Sequence, residues 1–128
     1  MKKPITLTIA GSDSGGGAGI QADIKTMSMN GVFPTSVITS LTAQNTLGIK
    51  EIYEISPEFI KAQLEAVLSD LHPKAVKIGM IKSKGLVDVI LEELLKYKVE
   101  NIVLDPIFSS TTGTKLNHNE TFKLIIDK

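Results

Sequence analysis

The sequence predicts an α/β fold built on a mostly parallel sheet, and three observations carry that expectation. Short runs rich in β-branched residues alternate with stretches whose apolar positions follow helical spacing. Such alternation favours parallel βαβ units, with helices covering both sheet faces. Four strand ends run straight into glycine or polar residues, the place where open parallel sheets collect ligands. The bulk numbers permit this fold: 128 residues suit about one domain, and 42% hydrophobic against 22% charged residues favours a core over disorder.

Residues 5–10 (ITLTIA) read as a buried strand. Residues 18–30 read as a helix that stops at Asn30-Gly31. The β-branched run 35–42 (TSVITSLT) is a second strand, and the alternation in 51–55 (EIYEI) suggests a short third. Ser56-Pro57-Glu58 opens a helix with a serine cap, a proline at the first helical position and an acid near the positive dipole end. Its apolar positions are Ile60, Leu64, Val67, Leu68 and Leu71. Residues 75–79 form another strand. A helix over 84–97 puts Leu86, Val87, Ile90, Leu91, Leu94 and Leu95 on one face. Residues 101–104 form a strand ending at Asp105-Pro106, and a last helix is expected from near Asn117. The informative residues should follow the strands: Gly11, Ser12 and Asp13; Gln44 and Asn45; Gly79 and Met80; Asp105.

Composition excludes several classes of function. Fourteen basic and fourteen acidic residues cancel, which argues against nucleic acid as the main partner. With no cysteine, disulfides, cysteine zinc sites and a cysteine nucleophile are excluded within these residues. No stretch approaches the roughly 20 apolar residues of a membrane span, and the N-terminal apolar run is too short for a signal peptide. The expectation is a cytoplasmic protein. His72 and His118 have no metal-ligand partner at sensible spacing and read as structural or exposed; no metal site is certain.

The stretch SDSGGGAG, residues 12–19, holds four glycines in eight positions. Glycine loses more conformational freedom on folding than alanine, so it belongs where φ is positive or another group approaches closely. A Walker A loop is ruled out because no lysine follows at the right place. Gly17-Ala18-Gly19-Ile20-Gln21-Ala22 meets the dinucleotide pattern, but Thr42-Ala43-Gln44-Asn45 offers no acid for a ribose. Close approach by a ligand, or by the backbone that bears it, is the better account. Asp13 suits either substrate contact or capping of this turn. Lys77, inside a strand, is either a functional positive charge or one that reaches the surface.

Taken in order, AGSDSGGGAGIQADIKT, SVITSLTAQNT, VKIGM and VLDP resemble the hydroxymethylpyrimidine/phosphomethylpyrimidine kinases of thiamine biosynthesis. These belong to the ribokinase-like superfamily, and the resemblance spans the chain. It implies a three-layer α/β/α fold with a mostly parallel central sheet. It implies ATP-dependent phosphorylation, with Mg2+, of 4-amino-5-hydroxymethyl-2-methylpyrimidine and its monophosphate. It implies a homodimer in the full-length family; the charge balance and the lack of an apolar span already argue against nucleic-acid and membrane partners. Pyridoxal kinases are near relatives, so vitamin B6 compounds are the nearest alternative substrate. The resemblance assigns Gln44 to the pyrimidine, and its amide offers the donor and acceptor that an aminopyrimidine edge needs. It places Asp23 near the hydroxymethyl end and Asp105 on the phosphate and metal side. Gly11 and Ala18 would let the ring lie close to backbone. Met80 would pack on the ring face, since methionine adapts to flat apolar ligands.

The chain departs from that family in two ways. Thr111 stands where the family usually carries a lysine, leaving phosphate contact absent there or supplied by Lys115. Family members are also about twice as long. Their later half holds an Asn-x-x-Glu motif, the glycine-rich anion hole with the catalytic base, and most of the ATP pocket. The catalytic residues are therefore unknown here. Residues 1–128 read as the N-terminal half of a single ribokinase-like kinase domain, truncated inside a helical pattern, inactive alone and supplying mainly the substrate pocket. A non-catalytic pyrimidine-binding module and a dinucleotide-binding domain are the alternatives. A half-sheet with an uncovered edge also predicts self-association.

Overall fold

The computed structural model describes residues 3–81 and 83–106. The last helix expected from Asn117, together with Thr111, Lys115 and His118, lies outside the described residues. The element order is β1 (Ile5–Asp13), α1 (Gly19–Met29), β2 (Phe33–Asn45), β3 (Gly48–Glu54), α2 (Pro57–Asp70), β4 (Ala75–Ile78), α3 (Lys84–Lys96) and β5 (Ile102–Leu104). Every expected element within the described residues is present, and the sheet order is β3-β2-β1-β4-β5. β1 pairs in parallel with β2 and β4, and β4 with β5. Among the described strands only β3 runs antiparallel, because two residues separate it from β2 and a parallel return needs a longer crossover. Tight hairpin pairing also lengthens β2 and β3 beyond the expected 35–42 and 51–55.

Strand order reverses at β1. The chain moves outward from β1 to β2, then returns across β1 to β4 and β5. Right-handed crossovers in opposite directions place their helices on opposite faces. Packing agrees. Leu7 and Ile9 of β1 join Val37, Val76 and Ile78 in one core with Ile60, Leu64 and Leu68 of α2 and Leu86, Val87, Ile90 and Leu94 of α3. The alternate residues Thr6 and Thr8 face α1, where their hydroxyls donate to Met27 Sδ at 3.3 Å and Asp23 Oδ2 at 2.6 Å. The three-layer arrangement thus has one apolar face and one face rich in hydroxyl and charged groups.

Side-chain caps set where two helices begin. Phe59 N donates to Ser56 Oγ at 3.3 Å, and Leu86 N to Ser83 Oγ at 3.4 Å. Gln63 then clips α2 onto β2, beyond the point where β3 leaves. Its Oε1 accepts from Ile38 N at 2.9 Å, and its Nε2 donates to Ile38 O at 3.1 Å. Between α2 and α3, Lys96 donates to Glu65 and Glu93 at 3.2 Å each. Those two bonds raise the Lys96 pKa above the ordinary lysine value. Their stabilising effect is therefore complete at neutral pH and fades only as pH rises through that raised pKa.

Leu95 corrects the apolar face expected for α3: it is 76% exposed. One residue turns the helix by about 100°, so with Leu94 in the core Leu95 points away. This contrast is testable by urea unfolding. Leu64→Ala should lower stability by about 2–5 kcal/mol. Leu95→Ala should stay within about 0.5 kcal/mol of the parent.

Candidate functional site

The carboxyl ends of β1, β2, β4 and β5 meet around the point where strand order reverses, and the candidate residues collect there. β1 continues as far as Asp13, whose side chain folds back under the glycine run. Asp13 is 6% exposed. Gly15 N donates to its Oδ1 at 2.7 Å, while Gly17 N and Ala18 N donate to Oδ2 at 2.9 and 2.8 Å. Gly16 N donates to the Asp13 carbonyl at 2.9 Å, and Lys25 Nζ donates to the Gly16 carbonyl at 2.7 Å. Asp13 therefore caps the turn. Its carboxylate occupies the amide nest where a phosphate would otherwise bind, which removes the loop from the phosphate-cradle and dinucleotide readings.

Two glycines here meet close neighbours, and at Gly19 glycine is required. Gly19 has φ +56 and its Cα faces the Gly11 carbonyl so closely that a Cβ would collide with that oxygen. Gly11 leaves room for the Met80 methyl, which occupies the place of a Cβ. Met80 is buried, and its carbonyl accepts from Thr39 Oγ1 at 3.0 Å. The Ser40 hydroxyl lies beside them, buried and without a partner among the described residues. A cavity of about 80 Å³ opens past Met80 towards Pro57 and Ser83. A larger one of about 280 Å³, lined by His72, Lys74 and Lys98, lies at the opposite end of the strands. Strand topology and side-chain convergence, rather than size, locate the site. His72 itself is exposed in a left-handed conformation (φ 45) at the exit of α2, as a structural residue would be.

Gln44 is joined to the loop by Ser14, whose hydroxyl donates to the Gln44 carbonyl at 2.8 Å and accepts from Gln44 N at 2.7 Å. The Thr42 hydroxyl stands 2.8 Å from the Ser12 carbonyl and 3.2 Å from Gln44 Oε1. Gln44 is half-buried, and its Nε2 has no protein partner among the described residues. Gln21, which the sequence reading passed over, locks the loop from α1. Its Oε1 accepts from Asp13 N at 2.8 Å, and its Nε2 donates to Ser12 Oγ at 2.7 Å. A glutamine two residues into a helix carries no local signal of that role. Ala18 is exposed at the start of α1.

On the α1 face, Asp23 accepts from Thr8 and from Lys77 Nζ at 3.0 and 3.1 Å. Lys77 also pairs with Asp105 at 3.2 Å, and the Asp105 side chain is 50% exposed. The structure thus brings together Gly11 with Met80, Gln44 with the glycine loop, and Asp23 with Asp105 through Lys77. Both oxygens of Asp23 are engaged by protein groups. Among the described residues no group of three His, Asp or Glu is placed to hold a metal ion. A single half-exposed carboxylate such as Asp105 suits Mg2+ only where substrate phosphates complete the shell. No described helix is long and apolar enough to cross a membrane.

Comparison with known proteins gives the same direction. The phosphomethylpyrimidine kinase family model matches residues 13–128. The chain is 47% identical over 116 residues to the hydroxymethylpyrimidine/phosphomethylpyrimidine kinase of Escherichia coli K12, covering 91% of this chain and 44% of that protein. It is 48% identical over 128 residues to a probable chloroplastic thiamine biosynthetic bifunctional enzyme of Oryza sativa, covering 100% of this chain and 23% of that protein. A solved phosphomethylpyrimidine kinase of Clostridium difficile 630 superposes with a TM-score of 0.87 at 48% identity, covering 97% of this chain and 54% of that one. An ADP complex of Bacillus subtilis pyridoxal kinase gives 0.76 at 31% identity, covering 84% and 41%. The chain spans less than half the length of these two curated relatives.

The role of Asp13 can be checked directly. Asp13→Ala should lower stability by about 2–3 kcal/mol, since three amides lose a charged acceptor. Chemical denaturation reads the loss, and hydrogen exchange should show the amides of Gly15, Gly17 and Ala18 deprotected.

Proposed function

The chain belongs to the phosphomethylpyrimidine kinase family, and we propose that it forms the substrate-binding portion of an ATP-dependent kinase. The acceptor is the hydroxymethyl group of 4-amino-5-hydroxymethyl-2-methylpyrimidine and, in a second round, the monophosphate of that compound. Residues 1–128 are then the N-terminal part of a single kinase domain that acts as a cytoplasmic homodimer. The observation that carries the reading is the union of Gln44 with the glycine loop through Ser14. Those bonds hold the Gln44 backbone at the loop, and its side-chain amide offers the donor and acceptor that an aminopyrimidine edge requires.

In this reading Gln44 pairs with the ring nitrogen and amino group. Gly11 and Ala18 keep the floor clear, and Met80 supplies a polarisable apolar surface for the ring. Asp23 orients the hydroxymethyl side through its helix. Phosphoryl transfer itself needs little covalent chemistry from the protein. An alcohol oxygen attacks the γ-phosphoryl group in line while positive groups and amides hold the charge. Asp105 would hold Mg2+ together with nucleotide phosphates, and the ion would neutralise charge on the transferred group. No described residue takes the part of catalytic base.

Pyridoxal is the competing ligand, because solved pyridoxal kinases are similar to this chain at lower identity. Calorimetry with both compounds separates the two readings: the pyrimidine should bind more tightly than pyridoxal. Gln44→Ala should weaken pyrimidine binding by about 1–3 kcal/mol through loss of a buried polar partner. Unchanged affinity in that variant would remove Gln44 from the site. Mass spectrometry after incubation with Mg-ATP and the pyrimidine should detect no phosphorylated product from these 128 residues alone.

A further inference from the structure

We infer that Lys77 is a positioning residue, which ties the α1 side of the candidate site to the end of β5 with one ammonium group. Lys77 starts in β4 beside Thr8 of β1. Its side chain runs along the sheet towards the carboxyl end, over Gly79. A Cβ on Gly79 would stand 3.0 Å from Lys77 Nζ, so the absence of a side chain there gives the lysine its path. At the end of that path three carboxylate oxygens surround the ammonium: Asp23 Oδ1 at 3.1 Å, Asp23 Oδ2 at 3.0 Å and Asp105 Oδ2 at 3.2 Å.

The two carboxylates differ in burial, and the difference defines the role. The side chains of Lys77 and Asp23 are 18% and 17% exposed. A largely buried pair of this kind is held firmly, because separating it strands a charge away from water. Thr8 Oγ1 adds a 2.6 Å bond to the same carboxylate. Asp105 is half exposed, where an ion pair by itself contributes little. What Lys77 gives Asp105 is direction: the ammonium is already anchored on α1, so the carboxylate that ends β5 is drawn to a fixed point. Asp23 lies one turn beyond Gly19, where the glycine loop enters α1. One cation therefore ties the glycine loop to the end of β5 across β1 and β4.

Lys77→Met alone would strand the Asp23 charge and confuse unfolding with mispositioning. The informative comparison is Asp23→Asn against the double variant Asp23→Asn/Lys77→Met. The first keeps Lys77 on Asp105; the second frees Asp105 and strands no charge at position 23. Hydrogen exchange reads the result at Gly79 N, bonded to Ile9 O, and Asp105 N, bonded to Ile78 O. Val76 N, bonded to Asn101 O at the far end of β4, is the control. The double variant should exchange about tenfold faster than Asp23→Asn at Gly79 and Asp105, with Val76 unchanged. Asp23→Asn/Lys77→Arg should recover part of the protection. Equal exchange in Asp23→Asn and the double variant would overturn the inference and leave Lys77 a counter-ion for Asp23.

The consequence for binding rests on the pyrimidine reading above. By calorimetry the double variant should bind 4-amino-5-hydroxymethyl-2-methylpyrimidine about tenfold more weakly than Asp23→Asn, a coupling within the range of contacting networks. Equal affinity despite faster exchange would overturn the link between Lys77 and the pocket. If the parent chain binds no pyrimidine while exchange responds as expected, the substrate assignment fails and the positioning role stands.

Discussion

The candidate site depends on one carboxylate. Asp13 draws three backbone amides of the glycine run onto its two oxygens. Converging amides of this kind commonly bind a phosphate. Here the chain supplies the anion itself, and the loop becomes a scaffold rather than a cradle. With its amides held, the loop delivers the first turn of α1 against the Gly11 backbone, and only glycine at position 19 fits that approach. The entropy lost in ordering so many glycines is offset by the charge-assisted hydrogen bonds to Asp13.

A second constraint comes from the two unlike faces of the sheet. The face towards α2 and α3 is aliphatic and holds the core. The face towards α1 carries Thr6, Thr8 and Lys77, and α1 answers with Met27 and Asp23. Polar groups are tolerated in such a layer only when partnered, and these are. This division is also what makes the reversal of strand order useful. The apolar face supplies rigidity, while the polar face leads side chains from inside the sheet to the carboxyl ends of the strands. Lys77 is the clearest case: rooted in β4, it acts at the level of Asp105.

Much of the fold was legible in the sequence because its signals are local. The serine and proline that open α2, the β-branched run of β2 and the spacing of Ile60, Leu64 and Leu68 each report a backbone conformation within a few residues of themselves. Candidate positions were legible for a related reason: in a parallel sheet, a residue at or just past the carboxyl end of a strand lies at the ligand-binding end whichever strands are neighbours. Hence Gly11, Gln44, Met80 and Asp105 could be selected before the sheet order was known.

The sequence by itself determined the strand–helix alternation, the capped helix starts and the set of residues at the strand ends. Tertiary structure alone decided what those residues do to one another. Asp13 was open between substrate contact and turn capping until the loop closed over it. Lys77 and Asp23 stand 54 residues apart, and Asp105 is 28 further on from Lys77. They meet because β4 lies beside β1, which α1 covers, and the lysine is long enough to reach across to α1. Leu95 left the apolar face because the core fixes the rotation of α3. The physical reason is common to all of these: periodicity and turn chemistry act over one or two turns of chain, whereas ion pairing and packing depend on which strands become neighbours.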